Sequence, residues 1–187
     1  PLTNVKDYAR HASQAIRSLP EDRPLILFGH SLGALAAYET AIALFESGCS
    51  IESLVVSGRQ DPDTPSKRKP ISHLDDAEFV RQMATYNGTP TEVLANTELL
   101  ELLLPMIKAD FAMSEKYPGR SSTKLACPVL ALGSHDDSWL DATSIDRWKE
   151  VTTGEFQTKW FAGDHFYLNH QTEALVQFLT EHFSLSV

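Results

Sequence analysis

Short, uniformly apolar runs alternate along this chain with longer stretches in which apolar residues recur every three to four positions. Residues 2–19 place Val5, Ala9, Ala12, Ile16 and Leu19 on one face, which predicts an amphipathic helix ended by Pro20-Glu-Asp-Arg-Pro24. Pro24–Phe28 (PLILF) reads as a buried strand, and Ala34–Phe45 is rich in helix formers with no breaker. Gly48 caps that helix, and Ile51–Ser57 predicts a second strand closed by Gly58-Arg59. From Gln60 to about Ser122 the pattern changes. Pro62, Pro65 and Pro70 flank a loop with the basic run Lys67-Arg68-Lys69, and helices are expected over Asp75–Tyr86 and over Thr97–Lys116, the latter interrupted at Pro105. Asn87-Gly88-Thr89-Pro90 separates the two. The strand–helix rhythm then resumes with Pro128–Leu132, a helix over Ala142–Val151, a strand over Phe156–Phe161 and a final helix over Gln171–Phe183.

Strands alternating with helices imply an α/β fold whose parallel sheet is covered on both faces. The organisation expected is a core of residues 1–59 and 123–187, with residues 60–122 inserted as a helical lid over the carboxyl edge of the sheet. Pro24–Phe28 is apolar throughout, so it is expected to be buried on both faces with a neighbour on either edge. Only one helix precedes it, and the chain begins at Pro1 without an initiating methionine. An N-terminal portion several strands long is therefore expected outside this sequence, as a removed segment, a separate chain or a replacing partner.

Composition narrows the classes of function. The 187 residues suit one domain with a sizeable core, and 42% hydrophobic with 22% charged residues is a globular balance. A formal charge of −9 argues against nucleic acid and against anionic membrane surfaces. The basic run at Lys67–Lys69 is expected to be a solvated loop. Two cysteines, Cys49 and Cys127, are too few for a disulfide framework and read as reduced thiols of a cytoplasmic protein. Neither a metal-ligand cluster nor an apolar run near eighteen residues occurs in the sequence.

The chemistry lies in Gly29-His30-Ser31-Leu32-Gly33, which follows a predicted strand and opens a predicted helix. That context is a nucleophile elbow: the serine sits at the apex of a strained turn, and the two glycines let strand and helix approach closely. The Leu32 N–H, at the start of the helix, points towards any oxyanion formed on a substrate. A serine hydroxyl needs a base to take its proton and a carboxylate to orient that base. His165, in Phe161-Ala-Gly-Asp-His165, directly follows the last strand, where the base belongs. His11 and His182 fall on outer helices, His73 in a loop, His170 at the start of the last helix, and His30 beside the nucleophile. The acid is expected after the third strand, in Gly133-Ser-His-Asp136-Asp137. Asp136 is preferred for its short return loop, Asp137 is the nearest competitor, and Asp61 after the second strand is a third candidate.

Five segments occur in one order: Gly29-His-Ser-Leu-Gly-Ala-Leu-Ala-Ala-Tyr-Glu39, Val56-Ser-Gly-Arg59, His73-Leu-Asp-Asp76, Leu104-Pro-Met-Ile-Lys-Ala-Asp110 and Gly163-Asp-His-Phe-Tyr-Leu168. Together they resemble the type II, editing thioesterases of non-ribosomal peptide and polyketide synthesis. The resemblance covers nearly all of residues 1–182. It implies the α/β-hydrolase fold and hydrolysis of stalled or misprimed acyl groups from the phosphopantetheine arm of acyl and peptidyl carrier proteins. It further implies Ser31 as nucleophile, His165 as base, Asp136 as orienting acid and the Leu32 N–H as one oxyanion donor. The second donor normally comes from a loop upstream of everything in this sequence. No cofactor of the protein's own is implied, since the arm belongs to the partner. The apolar stripe of residues 99–113 (Leu99, Leu103, Met106, Phe111 and their neighbours) is expected either to line an acyl pocket or to pack the lid.

Overall fold

The structure, a computed structural model, describes residues 4–20, 24–86, 88, 89 and 91–184. Four strands, β1 (Ile26–His30), β2 (Ser53–Ser57), β3 (Val129–Ser134) and β4 (Phe156–Phe161), form one sheet in the order β1-β2-β3-β4, all parallel. The register sets Phe28 opposite Val55 and Val55 opposite Leu130. Side chains alternate between the two faces, and both are apolar, as a doubly covered parallel sheet requires. Leu54, Val56, Val129 and Ala131 pack against α2 (Leu32–Glu46), the short helix α6 (Ala142–Asp146) and the 3-10 helix Arg147–Val151. Val55, Leu130, Leu132 and Phe161 turn the other way, onto the helices α7 (Tyr167–His170) and α8 (Thr172–His182). Leu54, Val55 and Val56 are buried, and each such side chain contributes about 1.5–3 kcal/mol.

The first helix, α1 (Val5–Ile16), starts where the Asn4 side chain accepts the Asp7 N–H, and its Val5 packs with Leu35 of α2. Between β2 and β3 the described residues form three helices, α3 (Asp76–Ala84), α4 (Thr91–Ala95) and α5 (Thr97–Glu115). They carry a separate apolar cluster around Ile71, Phe79, Met83 and Leu104. No helix of the described residues is long and apolar enough to cross a membrane.

Several elements depart from the sequence expectation. The first strand runs from Ile26 rather than Pro24. It pairs only with β2 among the described strands, and Phe28 is 44% exposed rather than buried on both faces. Helix α5 runs unbroken through Pro105. A proline there removes the hydrogen bond to the Glu101 carbonyl. Both residues lie on the exposed side, so solvent replaces the missing donor. Helix α4 has no counterpart in the periodicity. The helix expected over 142–151 is an α-helical turn followed by a 3-10 segment, and His170 ends α7 instead of starting the last helix. Positions 2–3 of the first predicted helix, 21–23 of the break after it, and Asn87 and Pro90 of the separator lie outside the described residues.

Candidate active site

Ser31 lies between the last residue of β1 and the first of α2, with φ 55° and ψ −118°. This is left-handed backbone that a residue with a Cβ adopts at a cost of about 1–3 kcal/mol. The turn is held by two hydrogen bonds. The Ser31 N–H donates to the Ser57 carbonyl (2.8 Å), and its carbonyl accepts the Ala34 N–H (3.1 Å). The Ser31 hydroxyl does not cap the helix it precedes, which leaves it available. A Cβ built on Gly29 would fall on the Gly33 carbonyl, so the close approach depends on Gly29. At Gly33 a Cβ would meet nothing within 4 Å, contrary to the expectation that both glycines are needed for space. Leu32 opens α2, so its N–H is one of those that a helix leaves without an internal acceptor.

Across the sheet, His165 Nδ1 lies 2.7 Å from Asp137 Oδ2. Both side chains are withdrawn from solvent, 6% and 0% exposed. The second Asp137 oxygen accepts the Trp139 N–H (2.9 Å), so the carboxylate is bonded on both sides. The expected partner was Asp136, and the structure corrects it. β3 continues to Ser134, two residues past its predicted end, and its ladder is prolonged by the bond from the His135 N–H to the Phe161 carbonyl (3.0 Å). The Asp136 N–H is pinned to the Gly163 carbonyl (3.1 Å) while its side chain is exposed. The chain turns inwards one residue later, and it is Asp137 that reaches His165. Asp61 is also buried, but it bonds Thr64 and the Asp63 N–H and faces Arg147 at 3.8 Å.

A second imidazole lies against the first. The His30 and His165 rings are 4.8 Å apart, an approach that Gly58 (φ +61°) permits because a Cβ there would strike His30 and crowd His165. His30 Nδ1 is 2.9 Å from the Ser57 hydroxyl, which is 2.7 Å from the Tyr167 hydroxyl. His30 Nε2 is buried with no partner among the described residues. Burial first, and then the neighbouring His165 charge, push the His30 pKa down to about 4, so His30 is neutral where a base works. Burial pushes the Tyr167 hydroxyl up to about 12.

Ser31 and His165 line one cavity of about 470 Å³, closed by Arg59 and Arg68 and by the aromatic rings of Tyr86 and Trp139. Sequence reasoning missed these four. The run Lys67–Lys69, expected to be a solvated loop, puts Arg68 over the Trp139 ring at 3.2 Å and joins Lys69 to the cavity lining. No local pattern announces that contact. Arg59 had a signal, since it directly follows the strand paired with the elbow strand. Of the apolar stripe on α5, Phe111 lines the cavity. Leu100, Leu104 and Ile107 pack inside the helical segment, Met113 packs on α1 and α2, and Met106 is exposed. Among the described residues no three His, Cys, Asp or Glu side chains are grouped to hold a metal ion.

The sequence matches the family described as thioesterase domain over residues 1–183. It is 36% identical over 182 residues to thioesterase PikA5 of Streptomyces venezuelae, covering 97% of this chain and 64% of that protein. It is 31% identical over 186 residues to the gramicidin S biosynthesis protein GrsT of Aneurinibacillus migulanus, covering 99% of this chain and 72% of that one. Among solved structures, YbtT, a type II thioesterase from the yersiniabactin non-ribosomal peptide/polyketide pathway, superposes with a TM-score of 0.89 at 31% identity, over 98% of this chain and 75% of that one.

Proposed function

Because the chain belongs to the thioesterase domain family, we propose that it hydrolyses acyl thioesters on the phosphopantetheine arms of carrier proteins, clearing stalled or misprimed groups from a peptide or polyketide assembly line. The observation that carries this reading is the shared cavity. It joins a strained serine, not engaged in capping, to an imidazole whose Nδ1 is committed to a buried carboxylate.

In this reading His165 keeps its Nδ1 proton and donates a hydrogen bond with it to Asp137, which leaves Nε2 as the base. Ser31 attacks the thioester carbonyl as Nε2 takes the hydroxyl proton. The Leu32 N–H stabilises the resulting oxyanion. The carbon–sulfur bond breaks, the imidazolium returns its proton to the departing sulfur, and an acyl-serine remains. Water, deprotonated by the same nitrogen, then releases the acid and restores Ser31. A thiol leaves readily, so access to the cavity governs selectivity more than the acid step does. The helical segment of residues 60–122, which contributes Arg68, Tyr86 and Phe111 to the lining, serves as the lid in this proposal. The carrier protein meets a small local patch, since a chain of net charge −9 does not steer an acidic partner globally.

The test compares turnover of acyl-carrier thioesters with simple esters of the same acyl group, alongside labelling by a serine-directed fluorophosphonate. Preference for the carrier thioester with Ser31 labelled is expected. A large preference for the simple ester, or no labelling of Ser31, would overturn the proposal.

A further inference from the structure

The cavity beside Ser31 holds more positive charge than its own carboxylates can answer. Arg59 and Arg68 both line it, and neither forms an ion pair with a carboxylate among the described residues. The Arg59 guanidinium is anchored on α5, where Nη1 donates to the Ser114 hydroxyl (2.6 Å) and Nη2 to the Ser114 carbonyl (3.4 Å). Its Nε is buried without an acceptor. Arg68 is spread over the Trp139 ring at 3.2 Å and reaches Tyr86 at 4.9 Å. The two carboxylates in the lining are already engaged. Asp63 pairs with Arg120 at 2.8 Å, and Glu115 accepts the Ile71 and Ser72 N–H groups and the Ser72 hydroxyl. Asp137, whose charge reaches Arg68, gives one oxygen to His165 and the other to the Trp139 N–H.

A withdrawn guanidinium without a counter-ion is unfavourable, and a folded protein retains one where something else supplies the charge. Both arginines show the effect of withdrawal: burial lowers each guanidinium to about 10, and at Arg68 the neighbouring Tyr86 and Asp137 offset part of that while the Arg59 charge adds to it. The contrast with the rest of the surface strengthens the point. Basic side chains elsewhere on the surface also lack ion pairs, but they have solvent, whereas Arg59 Nε is buried with no acceptor among the described residues. A planar guanidinium matches a carboxylate in shape as well as charge.

Resting on the thioesterase reading, we propose that Arg59 and Arg68 form a subsite for a carboxylate on the acyl group, so that dicarboxylate half-thioesters are preferred over neutral acyl groups of the same size. The anion belongs to the acyl group and not to the phosphate of the arm, because the arginines share the cavity with Ser31, where the acyl group must sit.

The experiment measures kcat/KM for glutaryl and glutaramoyl thioesters, an isosteric acid and amide, each on pantetheine and on 4′-phosphopantetheine. The glutaryl-to-glutaramoyl ratio should exceed one in the unaltered protein and fall about 10- to 100-fold in Arg59→Gln. Arg59→Lys should retain part of it, and Arg68→Gln, which leaves the Ser114 anchor intact, should lower it less steeply. Because the amide substrate is read in the same variant, a folding defect lowers both rates and leaves the ratio unmoved. Three results would overturn the subsite on an active enzyme: a ratio at or below one in the unaltered protein, an unmoved ratio in both Gln variants when circular dichroism and thermal unfolding show them folded as the unaltered protein is, or a loss that follows the arm phosphate instead of the acyl carboxylate. A protein that cleaves neither thioester overturns the hydrolase reading and the subsite with it.

Discussion

The two halves of the site are built differently. The Ser31 half is one continuous stretch, Gly29 to Gly33, in which strand end, strained turn and helix start follow from neighbours in sequence. The half containing His165 and Asp137 joins two loops from different strand ends through a side-chain contact, and its register depends on how far β3 runs before it turns. A local motif carries its geometry with it. A contact between two loops is only as certain as the last residue of each strand.

Four experiments can break or sharpen that contrast. Ser31→Ala should abolish fluorophosphonate labelling and lower kcat by about 10⁴-fold or more, since it removes the hydroxyl that the strained turn presents. On the other half, Asp137→Asn should lower kcat about 10³- to 10⁴-fold with little change in thermal stability, whereas Asp136→Asn should stay within about threefold. The reverse ranking would mean that the loop register described here is wrong. Backbone sterics test the local half. Gly29→Ala should cost about 3 kcal/mol or more in denaturant unfolding because the new methyl meets the Gly33 carbonyl. Gly33→Ala, in open space on a helix, should be neutral or stabilising by up to about 1 kcal/mol.

The smallest effect concerns His30, which belongs to the motif by sequence and touches His165 by its ring. Its folded-state pKa of about 4 lies below the ordinary histidine value of 6.5. Between those values the unfolded chain binds a proton at this site and the folded one does not. Stability contributed by His30 is therefore complete above about 6.5 and is lost as pH falls towards 4. Unfolding free energy should rise by about 1–3 kcal/mol across that window, and His30→Asn should flatten the rise.

The same distinction explains what the sequence could and could not disclose. Val55, Leu130 and Leu132 sit in apolar runs that form strands in the structure, so the parallel sheet was legible, while the order of its strands was not read from the sequence. Ser31, Leu32 and His165 occupy the strand-end positions expected of them. Asp137 was displaced to second place because Gly133 looked like the end of β3, and the strand instead passes through it to Ser134. Pro105 suggested a break that an exposed helix face makes unnecessary. Arg68 was unreadable for a different reason. Its partner Trp139 is 71 positions away, and only packing of the helical segment brings them together.

Trp139 has a consequence for anyone who would redesign this cavity. Its ring faces Arg68 on one side and lies 4.6 Å from the His165 ring, while its backbone N–H holds Asp137. The residue that shapes the pocket is thus also part of the mount for His165 and Asp137. Enlarging the cavity at Trp139 perturbs the charge-handling loop along with the volume, so altered selectivity gained there arrives with slower chemistry. Phe111, which lines the same cavity packed among Phe79 and Tyr86, meets Trp139 only through Tyr86 and so offers a place to change shape at one remove from that loop.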